Sequence, residues 1–234
     1  MVFASFYRYD AFAMFLLSYS SSANLKATSM QPISTRRIDR LGKPLLFSIS
    51  LLPLVELCYM NLGANPVETI IHHMGQWALR FLLITLSITP LRRLSGWNQL
   101  LRFRRMLGLF AFFYALLHFL TYLVFDQYFD LTAIADDVIK RPFITVGFLA
   151  LLLLIPLAVT STNTMIRRLG ARRWQRLHRL VYAIGILVVL HYLWLVKADV
   201  AKPLFYAAVL SVLLAYRLWF HYRGRFSVNP LPAR

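Results

Sequence analysis

Long apolar segments alternate with short charged segments along most of the chain. From Arg36 onward, each apolar segment approaches the roughly 20 residues that a helix needs to cross a bilayer. We predict six membrane-spanning helices, at about Leu45–Met60, His72–Thr89, Leu107–Phe125, Phe143–Thr160, Leu177–Val196 and Leu204–Phe220. The pattern therefore predicts an all-α membrane protein, with a six-transmembrane-helix bundle over residues 36–225.

The two ends of the chain fall outside this alternation. The apolar stretch Ala11–Leu17 is too short to span a bilayer, and a serine-rich run follows it. A cleaved signal peptide and a translation start at Met30 are both compatible with this composition. We therefore expect an N-terminal extension at residues 1–35 and a cytoplasmic tail at residues 226–234.

Basic residues predict which loops face the cytoplasm. Lys and Arg concentrate before the first span and after the second, fourth and sixth spans. The remaining loops carry few, namely Lys140, Arg141, Lys197 and Lys202. Because loops rich in Lys and Arg stay in the cytoplasm, both termini are predicted to be cytoplasmic. The third loop, which is acidic, is then on the outer side.

Composition excludes several other classes of protein. Hydrophobic residues make up 59% of the 234-residue chain and charged residues only 15%, against a usual share of about 25%. The formal net charge of +17 comes from arginines in short loops, so we do not expect nucleic acid as a partner. A single cysteine, Cys58, leaves no disulfide framework and no multi-cysteine metal site.

Two histidines are predicted to lie at the same depth on different helices. His118 lies roughly 12 Å, and His191 roughly 8 Å, from the outer ends of the third and fifth spans. Imidazole is a common axial ligand of haem iron, and helix bundles build such sites in their cores. We predict that His118 and His191 bind the iron of one haem b in the bundle core. The alternative is that each is a buried polar residue hydrogen-bonded to a neighbouring helix.

The inner end of the fifth span predicts a second site of a different kind. His178 lies there beside Trp174 and several arginines, while Arg105 occupies the nearby end of the third span. Guanidinium groups with an adjacent aromatic ring suit an anionic, planar ligand, such as FMN or a quinone that donates electrons. The alternatives are basic loops beside anionic lipid and a second, inner haem, although no histidine is available opposite His178.

The outer half of the second span contains two further candidates. His73 and Arg80 are seven residues apart and nearly share a helix face. Arg80 is predicted to neutralise a haem propionate or a quinone oxygen, unless it extends to the outer interface. His73 is a further cofactor-binding candidate, unless it is simply solvated at the interface.

Several short stretches carry a resemblance to a known family. They are Leu62–Val67, Ile88–Leu91, Arg104–Leu109, Ala115–His118, Thr160–Thr162, Gln175–His178 and His191–Trp194. In this order they resemble the ferric reductase-like transmembrane haem proteins. Within these, the chain is similar to the haem-binding membrane subunits of bacterial periplasmic methionine sulfoxide reductase systems. The resemblance spans Arg36–Arg225.

This resemblance implies an electron-transfer subunit in the bacterial inner membrane, rather than the catalytic subunit of an oxidoreductase. It implies electrons from the quinone pool or a flavin donor, and a periplasmic molybdopterin methionine sulfoxide reductase as partner, which repairs oxidised proteins. Haem ligation falls on His118 and His191, with His178 and His73 as further candidates.

Two other functions remain open at this point. One is a transmembrane reductase of ferric iron or dioxygen fed by a separate cytosolic flavin reductase, since this chain has no Gly-rich dinucleotide-binding segment. The other is a transporter whose histidines line a path across the membrane.

Overall fold

The computed structural model describes residues 38–196 and 199–226, and every regular element within those ranges is helical. By its internal contacts the chain divides into two units, Met1–Arg40 and Leu41–Arg234. The predicted N-terminal extension, and the predicted tail beyond Phe226, lie outside the described residues. Apart from Ile38–Arg40, the described residues belong to the second unit.

Nine α-helices follow one another in the described part of the chain. They are α1 (Lys43–Tyr59), α2 (Pro66–Ser95), α3 (Leu101–Thr121), α4 (Leu131–Lys140), α5 (Pro142–Val159), α6 (Asn163–Leu169), α7 (Ala171–His178), α8 (Leu180–Leu195) and α9 (Ala201–Phe226). Short turns of other helix types are Ile38–Gly42 and Tyr122–Asp126, which are π-helical, and the 3-10 turn Asn98–Leu100. The predicted all-α class is confirmed.

Five helical segments of the described chain are long and apolar enough to cross a membrane. They are Arg40–Tyr59, Asn98–Asp126, Pro142–Val159, Ala171–Leu195 and Ala201–Arg223. These segments make the chain a multi-pass membrane protein. The sequence predicted a further span within α2, which is not one of the five, so that span stays a prediction.

α2 carries polar side chains such as those of Arg80 and Thr85, and its position in the bundle explains them. Nine of its residues are buried, against four each in α3 and α5, so protein rather than lipid surrounds much of it. Polar side chains on such a helix can be satisfied by their neighbours. Arg80 donates a hydrogen bond to the hydroxyl of Tyr206 (3.1 Å), and Thr85 donates one to the carbonyl of Phe81 (2.7 Å). At 30 residues, or about 45 Å, α2 is longer than the roughly 30 Å hydrocarbon core.

The predicted fifth span is interrupted near the end that the sequence places on the cytoplasmic side; inner and outer refer throughout to these predicted sides. α7 ends at His178 and α8 begins at Leu180. Between them the N–H of Arg179 donates to the carbonyl of Arg176 (3.2 Å), and the N–H of Tyr182 donates to the carbonyl of Arg179 (3.1 Å). These bonds join residues three apart and tighten the turn locally. His178 and His191 therefore lie on two successive helical segments rather than on one straight helix.

The acidic outer segment is a helix rather than the predicted loop. Asp130 caps α4, because its Oδ1 accepts hydrogen bonds from the N–H groups of Thr132 and Ala133 (2.9 and 3.1 Å). The Thr132 hydroxyl, followed by these N–H groups, holds the pKa of Asp130 below its usual value. An Asp at the cap followed by apolar residues at helical spacing is the signal of this helix. With only ten residues, α4 is too short to cross a bilayer.

Candidate functional site

A cavity of about 600 Å³ lies among α2, α3, α5 and α8, with α4 at its outer side. Most of its wall is apolar, and six of the residues that line it are Gly or Ala, which leave space between the helices. The small residues that line it are Gly75, Ala78, Ala111, Ala115, Gly147 and Ala150. Its volume falls within the roughly 300–1,000 Å³ that is usual for small-molecule and cofactor sites.

His118 and His191 meet across this cavity. His118 is close to the outer end of α3 and His191 is close to the outer end of α8, and both line the cavity. Their ring centroids are 6.1 Å apart, and the ring planes are inclined at 79°. The structure therefore brings together the two residues that the sequence predicted at matched depth.

Backbone carbonyls fix the Nδ1 atom of both rings. Nδ1 of His118 lies 2.8 Å from the carbonyl oxygen of Ile71, and Nδ1 of His191 lies 2.7 Å from that of Phe143. A carbonyl oxygen can only accept a hydrogen bond, so each Nδ1 carries the proton and donates it. Each neutral ring then presents an unprotonated Nε2, which is the form that binds a metal.

The separation of the two rings fits one metal atom between them. An imidazole nitrogen binds a first-row transition metal at about 2.0–2.1 Å, and its ring centre is about 1 Å further away, so ligands on opposite sides have centroids about 6 Å apart. The observed 6.1 Å matches this value. Fixed Nδ1 protons, free Nε2 atoms and a largely apolar cavity suit a haem with two axial histidines.

Polar groups gather at the outer end of the cavity. Three of these residues carry positive charge or can acquire it, and three are acidic. They are His72, Arg141 and Lys202, and Glu68, Asp126 and Asp199. Arg141 and Lys202 are not among the site residues predicted from the sequence, where these two cations served only to indicate topology. Their positions at the starts of α5 and α9 were the available signal.

His73 and Arg80 are turned away from His118 and His191. Nε2 of His73 lies 3.0 Å from the carbonyl oxygen of Pro53 on α1 and 3.7 Å from a carboxylate oxygen of Glu56. Arg80 lies over the ring of Trp77, 4.6 Å from its centroid. It is therefore His72, the preceding residue, that lines the cavity. The roles predicted for His73 and Arg80 stay predictions.

The residues predicted at the inner end form a cluster of their own. The rings of His178 and Trp174 stack with centroids 4.0 Å apart, and Nδ1 of His178 lies 3.1 Å from the Trp174 carbonyl oxygen. The indole N–H of Trp174 donates to the carbonyl of Thr160 (2.9 Å). Nε2 of His178 is buried and makes no hydrogen bond within 3.5 Å in the described part of the chain, although the backbone of Leu157 lies near enough to interact with the ring.

The arginines at this end have separate environments. Arg105 is exposed and donates to the side-chain oxygen of Asn163 (2.6 Å), which ties α3 to the start of α6. The positive charge of Arg104, its neighbour, interacts electrostatically with the His178 ring. The structure therefore brings His178 and Trp174 together and directs Arg105 to another partner.

These features define a multi-pass helical bundle with two histidines facing each other across an apolar cavity. The sequence model of the ferric reductase like transmembrane component family matches residues 74–189, which include His118 and most of the cavity wall, and His191 lies two residues beyond the match. Curated relatives are more specific.

A relative from Herminiimonas arsenicoxydans is 54% identical over 81% of this chain and 89% of its own length. Relatives from Rhodospirillum rubrum and Ralstonia nicotianae are 55% and 52% identical, over 77% and 84% of this chain and 88% and 92% of theirs. All three are named protein-methionine-sulfoxide reductase haem-binding subunit MsrQ. The chain belongs to the MsrQ family.

Proposed function

We propose that this protein is the haem-binding electron-transfer subunit of a methionine sulfoxide reductase system, and that His118 and His191 hold one haem b. The observation that carries the proposal is their shared geometry. The centroids of the two rings lie 6.1 Å apart in one cavity, with the ring planes inclined at 79°, and backbone carbonyls fix the proton of each ring on Nδ1. A haem bound there would supply reversible one-electron transfer.

The surroundings of the two histidines support this role. The cavity wall around the two histidines is mostly apolar, which suits the large apolar ring of a haem. His72, Arg141 and Lys202 are the groups at the outer end of the cavity that can hold the carboxylates of a bound haem by charge-assisted hydrogen bonds. Arg141 is also paired with Asp137, 3.2 Å away.

We place the protein in the bacterial inner membrane with six spans and both termini in the cytoplasm. The distribution of Lys and Arg supports this orientation. The length of α2 supports counting it as a span in addition to the other five, which makes six. The domain boundaries follow the same division: an extension at 1–35, the ferric reductase-like bundle at 36–225, and a tail at 226–234. His118 and His191 then lie in the outer half of the bilayer, on the periplasmic side.

The inner cluster is the proposed entry point for electrons. Nε2 of His178 is buried and makes no hydrogen bond within 3.5 Å among the described residues, and Trp174 covers one face of its ring. A ring N–H of a flavin such as FMN, or a hydroxyl of a quinol, could donate a hydrogen bond to this nitrogen, and either ring could stack at this position. Thirteen residues separate His178 from His191, or roughly 20 Å of helix, so donor and haem would occupy opposite halves of the bundle.

The proposed electron acceptor is the periplasmic molybdopterin methionine sulfoxide reductase, MsrP, which repairs oxidised proteins. The names of the relatives support a methionine sulfoxide reductase system. The match to the ferric reductase like family keeps a second candidate open, a reductase of ferric iron or dioxygen fed by a separate cytosolic flavin reductase. The two candidates share the haem site and differ in the acceptor.

Absorption spectra of purified variants test the haem site. His118→Ala and His191→Ala should each lose the low-spin spectrum that two axial imidazoles give, because one ligand is missing. His221→Ala is the matched control: this histidine is exposed on α9, and the variant should keep the wild-type spectrum. A wild-type low-spin spectrum in both cavity variants would show that the assignment of the ligands is wrong.

A further inference from the structure

Each of the two cavity histidines contacts a neighbouring helix, and the contacts are of the same kind in both cases. His118 of α3 rests on the outer part of α2, and His191 of α8 rests on the outer part of α5. Each ring bonds to a carbonyl, of Ile71 or Phe143, and lies against a glycine four residues further along the same helix, Gly75 or Gly147. The construction therefore occurs twice, once for each side of the cavity.

The glycines leave the space that the imidazole rings occupy. A Cβ atom at Gly75 would lie 3.0 Å from Nδ1 and 3.1 Å from Cε1 of His118. At Gly147 the corresponding distances to His191 would be 2.6 and 2.8 Å. Neither glycine has a positive φ, so the helix backbone does not require glycine at these two positions. The close approach of the imidazole is what requires it.

Because each glycine has no side chain, the imidazole ring can also reach the carbonyl oxygen to which its Nδ1 bonds. In an α-helix the carbonyl of residue i points towards residue i+4, whose N–H it accepts. A side chain at i+4 would cover the second lone pair of that carbonyl. Glycine at this position lets Nδ1–H approach within 2.8 Å of the Ile71 oxygen and 2.7 Å of the Phe143 oxygen.

We propose that Gly75 and Gly147 are positioning residues that fix the proton of each histidine on Nδ1 and direct Nε2 into the cavity. This inference rests on the proposed function, in which the two Nε2 atoms bind haem iron. A hydrogen bond from Nδ1–H makes the imidazole a more basic ligand, which favours the oxidised metal. The glycines therefore affect both how tightly haem is held and its reduction potential.

Three alanine variants form a graded test. Gly147→Ala should weaken haem binding most, because its Cβ would lie 2.6 Å from the ring, and Gly75→Ala should do so less, at 3.0 Å. Loss of the group that accepts a hydrogen bond from a metal-binding histidine typically weakens metal binding by about 10–100-fold. Gly108→Ala is the matched control, since its Cβ would meet the Thr85 methyl group at an ordinary 3.6 Å.

The measurements are haem per polypeptide, the low-spin spectrum and the reduction midpoint potential of the haem that remains. We expect haem content to fall in the order Gly108→Ala, Gly75→Ala, Gly147→Ala, with the control at the wild-type level. The midpoint potential should move to more positive values in Gly75→Ala, because the weakened Nδ1 bond makes its ligand less basic. Alanine favours helix over glycine, so the variant proteins should fold.

Equal haem content and equal potentials in all three variants and the wild type would overturn the inference. If Gly147→Ala does not fold, the potential of Gly75→Ala decides: a wild-type value overturns the inference and a positive shift supports it. A wild-type protein without haem would contradict the proposed function itself, which is a different result.

Discussion

Tyr114 offers a quantitative test of how the bundle holds α3, the helix that carries His118. Its side chain is fully buried, and its hydroxyl donates a hydrogen bond to the carbonyl of Ser50 on α1 (2.7 Å). Its ring stacks on Phe81 of α2, with centroids 5.3 Å apart and planes inclined by 8°. One side chain thus contacts both helices that flank α3 on this side.

Two substitutions separate the contributions of the hydroxyl and the ring. Tyr114→Phe removes only the hydrogen bond, which should lower the free energy of unfolding by about 0.6–1.5 kcal/mol. Tyr114→Ala also removes the ring and leaves a cavity, which should cost about 3–5 kcal/mol. At about 1.4 kcal/mol for each factor of ten, the second change shifts the folding equilibrium more than about a hundredfold.

Reversible unfolding of the purified protein in mixed detergent and denaturant micelles measures both values. Tyr59→Phe is the control, because Tyr59 of α1 is 86% exposed and its hydroxyl should contribute nothing measurable. If Tyr114→Ala destabilised the bundle no more than Tyr114→Phe, the reasoning that the ring fills a tightly packed core would be refuted.

Two further predictions concern the inner cluster and the orientation in the membrane. His178→Ala should slow reduction of the haem by the physiological donor while leaving the haem spectrum intact; loss of half the haem would instead indicate a second haem at the inner end. With Cys58→Ser as background, an impermeant thiol reagent applied to intact cells should label Asp130→Cys and not Arg168→Cys, and the reverse pattern would overturn the proposed topology.

The positions of the helices and the meeting of two histidines could be predicted from the sequence. Long apolar runs determine where spanning helices form, and counting residues from their ends gives depth. Depth alone placed His118 and His191 at one level, and the structure brings their rings together. Direction around a helix is harder to predict, because it depends on which neighbours pack there.

The difficulty of predicting direction around a helix explains why the sequence indicated His73 as a site residue, whereas His72 lines the cavity. Adjacent residues on a helix point about 100° apart, so His72 and His73 meet different neighbours. His72 lines the cavity, whereas His73 bonds to the carbonyl of Pro53 on α1. Nothing in the local sequence distinguishes the two, because the packing of α1 against α2 determines the outcome.

The role of the glycines could not be predicted for a related reason. Glycine in an apolar helix is usually interpreted as a site of close helix packing. Only the coordinates show that imidazole rings, rather than a neighbouring backbone, occupy the space beside Gly75 and Gly147. Likewise, the break at Arg179 depends on local hydrogen bonds that hydrophobicity does not reveal.

The most direct test of the account follows the oxidation of the haem by its acceptor. The purified protein is reduced without oxygen and mixed with the periplasmic molybdopterin reductase, with and without methionine sulfoxide, while the haem absorption is recorded. With the reductase in catalytic amount, the account predicts full oxidation of the haem only when methionine sulfoxide is also present. Haem that stays reduced in that mixture, but is oxidised by ferric iron or dioxygen alone, would contradict it.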